Sequence, residues 1–186
     1  MSKQILIGLT GPAGCGKDSV ANFLVGHSFN RYALAGPLKD MLSSMLGIDR
    51  EQWDDRVWKE AVLPWLGKSP RQMAQTLGTE WGRQQVHPDL WVMLMLRQWE
   101  TVRAGVSPRM VVTDVRFDNE AIAIINAGGT VWKVDREKLP SVAEHSSEKG
   151  VSPALIEGVI KNYGTLDQLR QSVDGWVRFV SRRYAK

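Results

Sequence analysis

The stretch Gly11-Pro12-Ala13-Gly14-Cys15-Gly16-Lys17 has the residue types and spacing needed to hold a polyphosphate. Glycines at 11, 14 and 16 admit backbone angles closed to other residues, so main-chain N–H groups, those of Ala13 and Cys15 included, can close around anionic oxygens. Lys17 adds a mobile charge for the β- and γ-phosphates of a nucleoside triphosphate. The next position, where Ser or Thr ordinarily gives Mg²⁺ a hydroxyl, is Asp18, and Ser19 follows. One residue turns a helical side chain by roughly 100°, so Ser19 does not simply replace that hydroxyl. Asp18 is expected to hold the metal or its water, unless the metal is held elsewhere. A carboxylate here also brings negative charge towards an anionic ligand and calls for extra cations.

A second acid, Asp114, ends the apolar run that begins at Arg109, and Arg116 lies two residues on. P-loop proteins keep a metal- or water-binding acid at such a place. In a kinase the same acid can orient the attacking phosphate oxygen, and its plainer role is to cap the next helix. The planar fork of Arg116 suits a transferring phosphate. Arg71, Arg83 and Arg136 are further cations, each equally compatible with an exposed salt bridge. Phosphoryl transfer asks the protein for alignment and electrostatic stabilisation rather than covalent chemistry.

Elements must bring these residues together. Ile5–Leu9 reads as a strand leading into the glycine loop, and Ser19–Val25 as the helix behind it. Phe29–Ala35 is expected as the second strand and Leu38–Leu46 as a helix, with Lys39 near its start, where anions collect or where a solvated lysine would sit. Residues 51–67, with three tryptophans among charges, read as an irregular cover. Ser69 caps a helix with Pro70 in its first turn, expected to stop at Gly78. A short helical piece over Thr79–Gln85 and a long helix over Leu90–Arg103 follow. Arg109–Asp114 and Thr130–Asp135 are strands, with a helix through Ile122, Ile124 and Ile125 between them. A polar loop over 136–153, a strand over Ala154–Asn162 and a helix over Leu166–Tyr184 complete the chain. This alternation implies a parallel sheet with helices on both faces. Ligands of such sheets lie beyond the carboxyl ends of the strands, so Lys17, Asp114 and Arg136 are expected to converge.

Composition is that of a soluble globule: 186 residues, 43% hydrophobic, 24% charged. One domain of residues 1–186 is expected. The formal charge of +4 fits small anionic substrates at least as well as nucleic acid, and the basic end, with Arg178, Arg182, Arg183 and Lys186, reads as a solvated helix end. No stable nucleic-acid partner is expected, although an ATP-dependent DNA-binding module is the reading from another class. The lone Cys15 excludes an internal disulfide and points to a reducing, cytoplasmic compartment. Its helix-start position beside Lys17 could lower its pKa, although small size in a tight loop explains it as well. The longest apolar run, Leu90–Leu96, falls short of the roughly 20 residues of a membrane span. His27, His87 and His145 are too scattered for a metal set.

Five segments together carry a family resemblance: Gly14-Cys15-Gly16-Lys17-Asp18-Ser19; Ala35-Gly36-Pro37-Leu38-Lys39; Arg71 with Leu77-Gly78-Thr79-Glu80-Trp81-Gly82-Arg83; Asp89-Leu90-Trp91-Val92; and Asp114-Val115-Arg116-Phe117-Asp118-Asn119-Glu120. In order and spacing the chain resembles the phage-type deoxynucleoside monophosphate kinases, Asp18 included, and the resemblance extends to the closing Ile160-Lys161-Asn162-Tyr163-Gly164-Thr165-Leu166 segment. The resemblance implies an α/β P-loop nucleoside monophosphate kinase fold, with an acceptor-binding helical region at about 36–105 and a lid at about 136–153. It implies transfer of the ATP γ-phosphate to a deoxynucleoside monophosphate with Mg²⁺, in a cytoplasm that is the host's if a phage encodes the chain, and it suggests a homodimer. Lys17 would hold the transferring phosphate, Arg71 and Arg83 the acceptor phosphate, and Asp114 with Arg116 would complete the reaction centre. Asp18 and Asp114 are the metal candidates, and Arg136 would be a lid arginine. Lys39, Thr79, Trp91, Asn119 and Glu120 are further acceptor contacts, with Trp81 and Trp91 able to stack on a base. Kinases of other phosphorylated metabolites, dephospho-coenzyme A and phosphomevalonate among them, have similar loops and are the alternative.

Overall fold

The computed structural model describes residues 3–137 and 150–183. In chain order its main elements are β1 (Ile5–Thr10), α1 (Lys17–Gly26), β2 (Asn30–Tyr32), α2 (Gly36–Leu46), α3 (Arg56–Glu60), α4 (Pro70–Gln75), α5 (Leu90–Arg103), β3 (Arg109–Val112), α6 (Asp118–Asn126), β4 (Thr130–Asp135), β5 (Gly158–Lys161) and α7 (Leu166–Arg183). They fall into two compact units, Met1–Leu34 with Leu94–Lys186, and Ala35–Met93. Most of the 136–153 lid expectation, with His145, and the terminal Tyr184 and Lys186 lie outside the described residues. No helix of the described residues is long and apolar enough to cross a membrane.

The first unit is a five-stranded sheet in the order β2-β3-β1-β4-β5, every pair parallel, with Ile7 of β1 opposite Val111 on one side and Thr130 on the other. All six residues of β1 are buried, as the middle strand of a parallel sheet covered on both faces requires. Ile5, Ile7 and Leu9 pack with Val20 and Leu24 of α1 and with Leu169, Val173, Val177 and Val180 of α7. Gly8 faces the other way, where a Cβ would come within 2.7 Å of Ile124 on α6. Each fully buried aliphatic side chain in these layers contributes about 1.5–3 kcal/mol. Since β3 and β4 flank β1 on opposite sides, the crevice past the carboxyl end of β1 is where a ligand is received.

Two strands are shorter than their sequence patterns. β2 ends at Tyr32, not Ala35, because the Leu34 N–H leaves the sheet to donate to Asp114 Oδ1 at 2.7 Å. The last strand begins only at Gly158; a 3₁₀ turn over Pro153–Leu155 occupies the start of the expected run, where Pro153 has no N–H for a ladder.

In the second unit Ser69 caps α4 as its sequence indicates. Its hydroxyl accepts from the Gln72 N–H at 3.2 Å while Gln72 Oε1 accepts from the Ser69 N–H at 2.8 Å. Gly78 does not stop the helix. A π-helical segment over Thr76–Val86 carries on through Gly78 and Gly82. These glycines serve Trp91: its indole N–H donates to the Gly78 carbonyl at 2.8 Å, and a Cβ on Gly82 would sit 2.7 Å from its ring. Residues 51–67 hold a 3₁₀ turn over Arg50–Asp54 and α3, with Trp53 buried and donating to Ser43 Oγ at 2.8 Å.

Candidate phosphate-binding site

The chain leaves β1 at Thr10 and turns through Gly11, Gly14 and Gly16, with φ of 136°, 76° and 103°. All three lie in the left-handed region the glycine pattern anticipated. Gly16 meets a second constraint, because a Cβ there would lie 2.4 Å from Asn162 Nδ2. That amide donates to the Cys15 carbonyl at 2.9 Å, and Arg136 Nη1 donates to the Gly14 carbonyl at 3.2 Å. The loop is therefore held from outside by residues that follow β5 and β4. Lys17 Nζ arches back over it, donating to the carbonyls of Gly11 and Pro12 at 2.7 and 2.8 Å. Asp18 and Ser19 open α1 directly behind the loop, whose N-terminal N–H groups favour an anion.

A cavity of about 370 Å³ opens beside this loop. Its polar side carries Lys17, Arg116 and Lys133, and Val115, Val151 and Ile156 form its apolar wall. No acid lines it among the described residues, so the field within it favours polyanions. Lys17 and Arg116, distant in sequence, thus border one space, with Gly11 and Ala13 on its rim.

Arg116 is exposed but the loop beneath it is pinned. Glu120 is 2% exposed, and its Oε2 accepts from the N–H groups of Arg116 at 2.7 Å and Phe117 at 3.1 Å. Glu120, expected as an acceptor contact, thus orients the backbone carrying Arg116. Asp114 sits half-buried at the head of the same loop, its Oδ1 taking the Leu34 N–H. It therefore ties the exit of β2 to the exit of β3. Asn119 follows in the first turn of α6, half-buried.

Asp18 is ion-paired with Arg31 of β2, which also donates to Asn22 Oδ1 at 3.0 Å. The metal expectation for Asp18 therefore meets a competing cation. Among the described residues no three of His, Cys, Asp or Glu gather around a metal position. An Mg²⁺ ion, which keeps waters and binds through phosphates and one or two carboxylates, needs no such all-protein cage. Cys15 is fully buried, and burial pushes its thiol above its ordinary range despite the nearby Lys17. The reading of a lowered thiol pKa is overturned by that desolvation.

The remaining sequence candidates lie in the helical unit. Arg71 pairs with Glu60 at 2.7 Å, and the Lys39 ammonium lies 5.8 Å from the centre of the Trp53 ring. Thr79 and Arg83 are half-buried on the π-helical segment. Trp91 is 3% exposed, with its indole N–H donating to the Gly78 carbonyl, and Trp81 is 41% exposed. Sequence reasoning missed Arg31, Lys133 and Asn162. The available signal for Lys133 was a single lysine inside an otherwise apolar strand, and for Asn162 its place directly past the last strand, as Gly11 lies past the first.

The chain matches the deoxynucleotide monophosphate kinase family over residues 58–173. A protein of Acanthamoeba polyphaga mimivirus, assigned by name as a deoxynucleotide monophosphate kinase, is 33% identical over 156 residues, covering 78% of this chain and 81% of its own. The deoxynucleoside-5′-monophosphate kinase of Escherichia phage T5 is 28% identical, covering 86% of this chain and 90% of its own. Among solved structures, dephospho-CoA kinase from Campylobacter jejuni superposes with TM-score 0.53 at 14% identity over 98% of each chain. Shikimate kinase from Aquifex aeolicus superposes with TM-score 0.52 at 12% identity, covering 97% of this chain and 99% of its own. Those two likenesses establish the kinase fold, and the sequence relationships go further: the chain belongs to the deoxynucleotide monophosphate kinase family.

Proposed function

We propose that this chain transfers the γ-phosphoryl group of ATP to the 5′-phosphate of a deoxynucleoside monophosphate, giving ADP and a deoxynucleoside diphosphate. An acceptor phosphate oxygen forms the new bond to the γ-phosphorus as the bond to the β–γ bridging oxygen breaks, and the electron pair leaves with ADP. Charge is conserved without a proton transfer, so the site needs cations more than an acid or base. The observation that carries this reading is the cavity at the glycine loop, lined by no acid among the described residues and with Lys17 and Arg116 on its border.

In this reading the N–H groups of Gly14, Cys15 and Gly16 and the start of α1 cradle the donor phosphates. Lys17 exchanges its carbonyl partners for phosphate oxygens, and Arg116 neutralises the group in flight. Mg²⁺ would supply further charge neutralisation on the phosphates, with Asp18 and Asp114 as the carboxylates that would hold it or its waters. Arg136 steadies the loop. Arg71 and Arg83 are assigned to the acceptor phosphate, with Lys39, Thr79 and Asn119 as further contacts.

The test is direct. Pure protein is incubated with Mg-ATP and, in separate reactions, each deoxynucleoside monophosphate, dephospho-coenzyme A and phosphomevalonate, and products are resolved by chromatography. A deoxynucleoside diphosphate forming in step with ADP is expected; turnover of only the other two acceptors would overturn the reading.

A further inference from the structure

Lys133 belongs to an interior strand, paired on both sides by β1 and β5. Residues on such a strand are apolar unless something is gained by placing a charge there. The alternation of β4 sends Trp132 and Val134 into the core shared with α1 and α7. Val131 and Lys133 face the other side, where Val131 packs close to Gly8 of β1. Lys133 pairs in register with Thr10, the last residue before the glycine loop. Its place is therefore fixed by the sheet, the most rigid part of the unit, at the mouth of the crevice.

Among the described residues, the ion pair of Lys133 with Asp135 is weak. The Asp135 carboxylate lies 3.8 Å away, beyond hydrogen-bond distance, and its other oxygen already takes the Tyr163 hydroxyl. On its remaining side Lys133 lines the cavity together with Lys17 and Arg116. These three cations come from α1, the loop before α6, and β4, and surround the space from different directions.

We propose that Lys133 is a third catalytic cation, touching the phosphoryl group during its transfer from ATP. This rests on the kinase reading above and adds to it a residue to which that reading gives no role. The donor's α- and β-phosphates belong with the loop N–H groups and the start of α1. Lys133 lines the same cavity as Lys17 and Arg116, the two cations assigned above to the transferring group. A cation that shares their space is placed to meet the γ-phosphoryl group and the oxygen attacking it. Lys133 should then act on the rate of transfer more than on ATP binding.

The experiment compares wild type, Lys133→Gln and Lys133→Arg in steady-state kinetics with Mg-ATP and the best deoxynucleoside monophosphate, alongside ATP binding by calorimetry and thermal melts. Lys133→Gln is expected to lower kcat at least ten-fold while changing the ATP Kd less than three-fold, and Lys133→Arg to recover most of the lost rate. A Lys133→Gln rate within two-fold of wild type overturns the proposal, as does a loss confined to ATP affinity. If Lys133→Gln fails to fold, an arginine variant that folds but is a hundred-fold slower overturns it as well. Should wild type phosphorylate no deoxynucleotide, the kinase reading itself fails, an outcome separate from any effect of the substitutions.

Discussion

The side-chain amide of Asn162 donates to the carbonyl of Cys15 over 2.9 Å, so the residue that follows β5 holds the turn immediately ahead of α1. The peptide thus fixed carries the Gly16 N–H, one of the groups assigned to the donor phosphates. Asn162→Ala is expected to weaken ATP binding about five-fold, corresponding to a lost hydrogen bond of about 1 kcal/mol. Calorimetry reads this, and an unchanged affinity would mean the loop holds its shape without that contact.

Gly16 offers a sharper version of the same test. Alanine there must adopt a φ of 103° and overlap Asn162 at 2.4 Å. Gly16→Ala is expected to abolish measurable ATP binding. The double variant Gly16→Ala with Asn162→Ala removes the overlap but keeps the backbone strain, so it should recover only part of the affinity.

Arg116 and Glu120 should behave as a coupled pair. Arg116→Ala is expected to lower kcat by 10²-fold or more, on the order of the lower range for an arginine acting on a transferring phosphate. Glu120→Ala leaves two backbone N–H groups without their acceptor, and each such buried loss costs about 1–3 kcal/mol. That variant should melt earlier and also lose rate, and combining it with Arg116→Ala should cost little additional rate. Fully additive rate losses would show that Glu120 does not act through the Arg116 loop.

Asp18 faces two claims on its carboxylate. Asp18→Asn is expected to raise the Mg²⁺ concentration needed for half-maximal rate, and Arg31→Gln, by removing the competing cation, to lower it. Superimposable magnesium titrations for wild type and Asp18→Asn would leave the Arg31 ion pair as the role of this residue.

Asp118 supplies a pH signature. Its carboxylate accepts from the Ser152 hydroxyl and from the Ser152 N–H at 2.8 Å, and these bonds hold its pKa below the ordinary value. A carboxyl with a depressed folded-state pKa contributes stability that is present above its unfolded pKa and lost as pH falls through the folded one. The difference in Tm between wild type and Asp118→Asn should therefore stay constant from neutral pH down to about 4, the ordinary aspartate range, and shrink below it. A difference that instead grows below that range would contradict the assignment.

The sheet was legible in the sequence because its signals are local. An apolar run ending at a glycine loop fixes β1 and the start of α1, and Thr130–Asp135 is found as β4 where its pattern puts it. What was not legible depends on partners far along the chain. Gly78 reads as a helix stop until Trp91 is seen to donate to it. The exit of β2 is decided by Asp114, whose partner Leu34 is 80 residues away. For Cys15 the sequence left two readings, because it shows the neighbouring Lys17 charge but not the burial that outweighs it.

The central claim is that the transferring phosphate sits in the cavity bordered by Lys17 and Arg116. A crystal structure with ADP, aluminium fluoride and a deoxynucleoside monophosphate measures this most directly. The fluoroaluminate is expected within hydrogen-bond distance of both Lys17 Nζ and the Arg116 guanidinium. A fluoroaluminate bound with both side chains turned away from it would contradict the account.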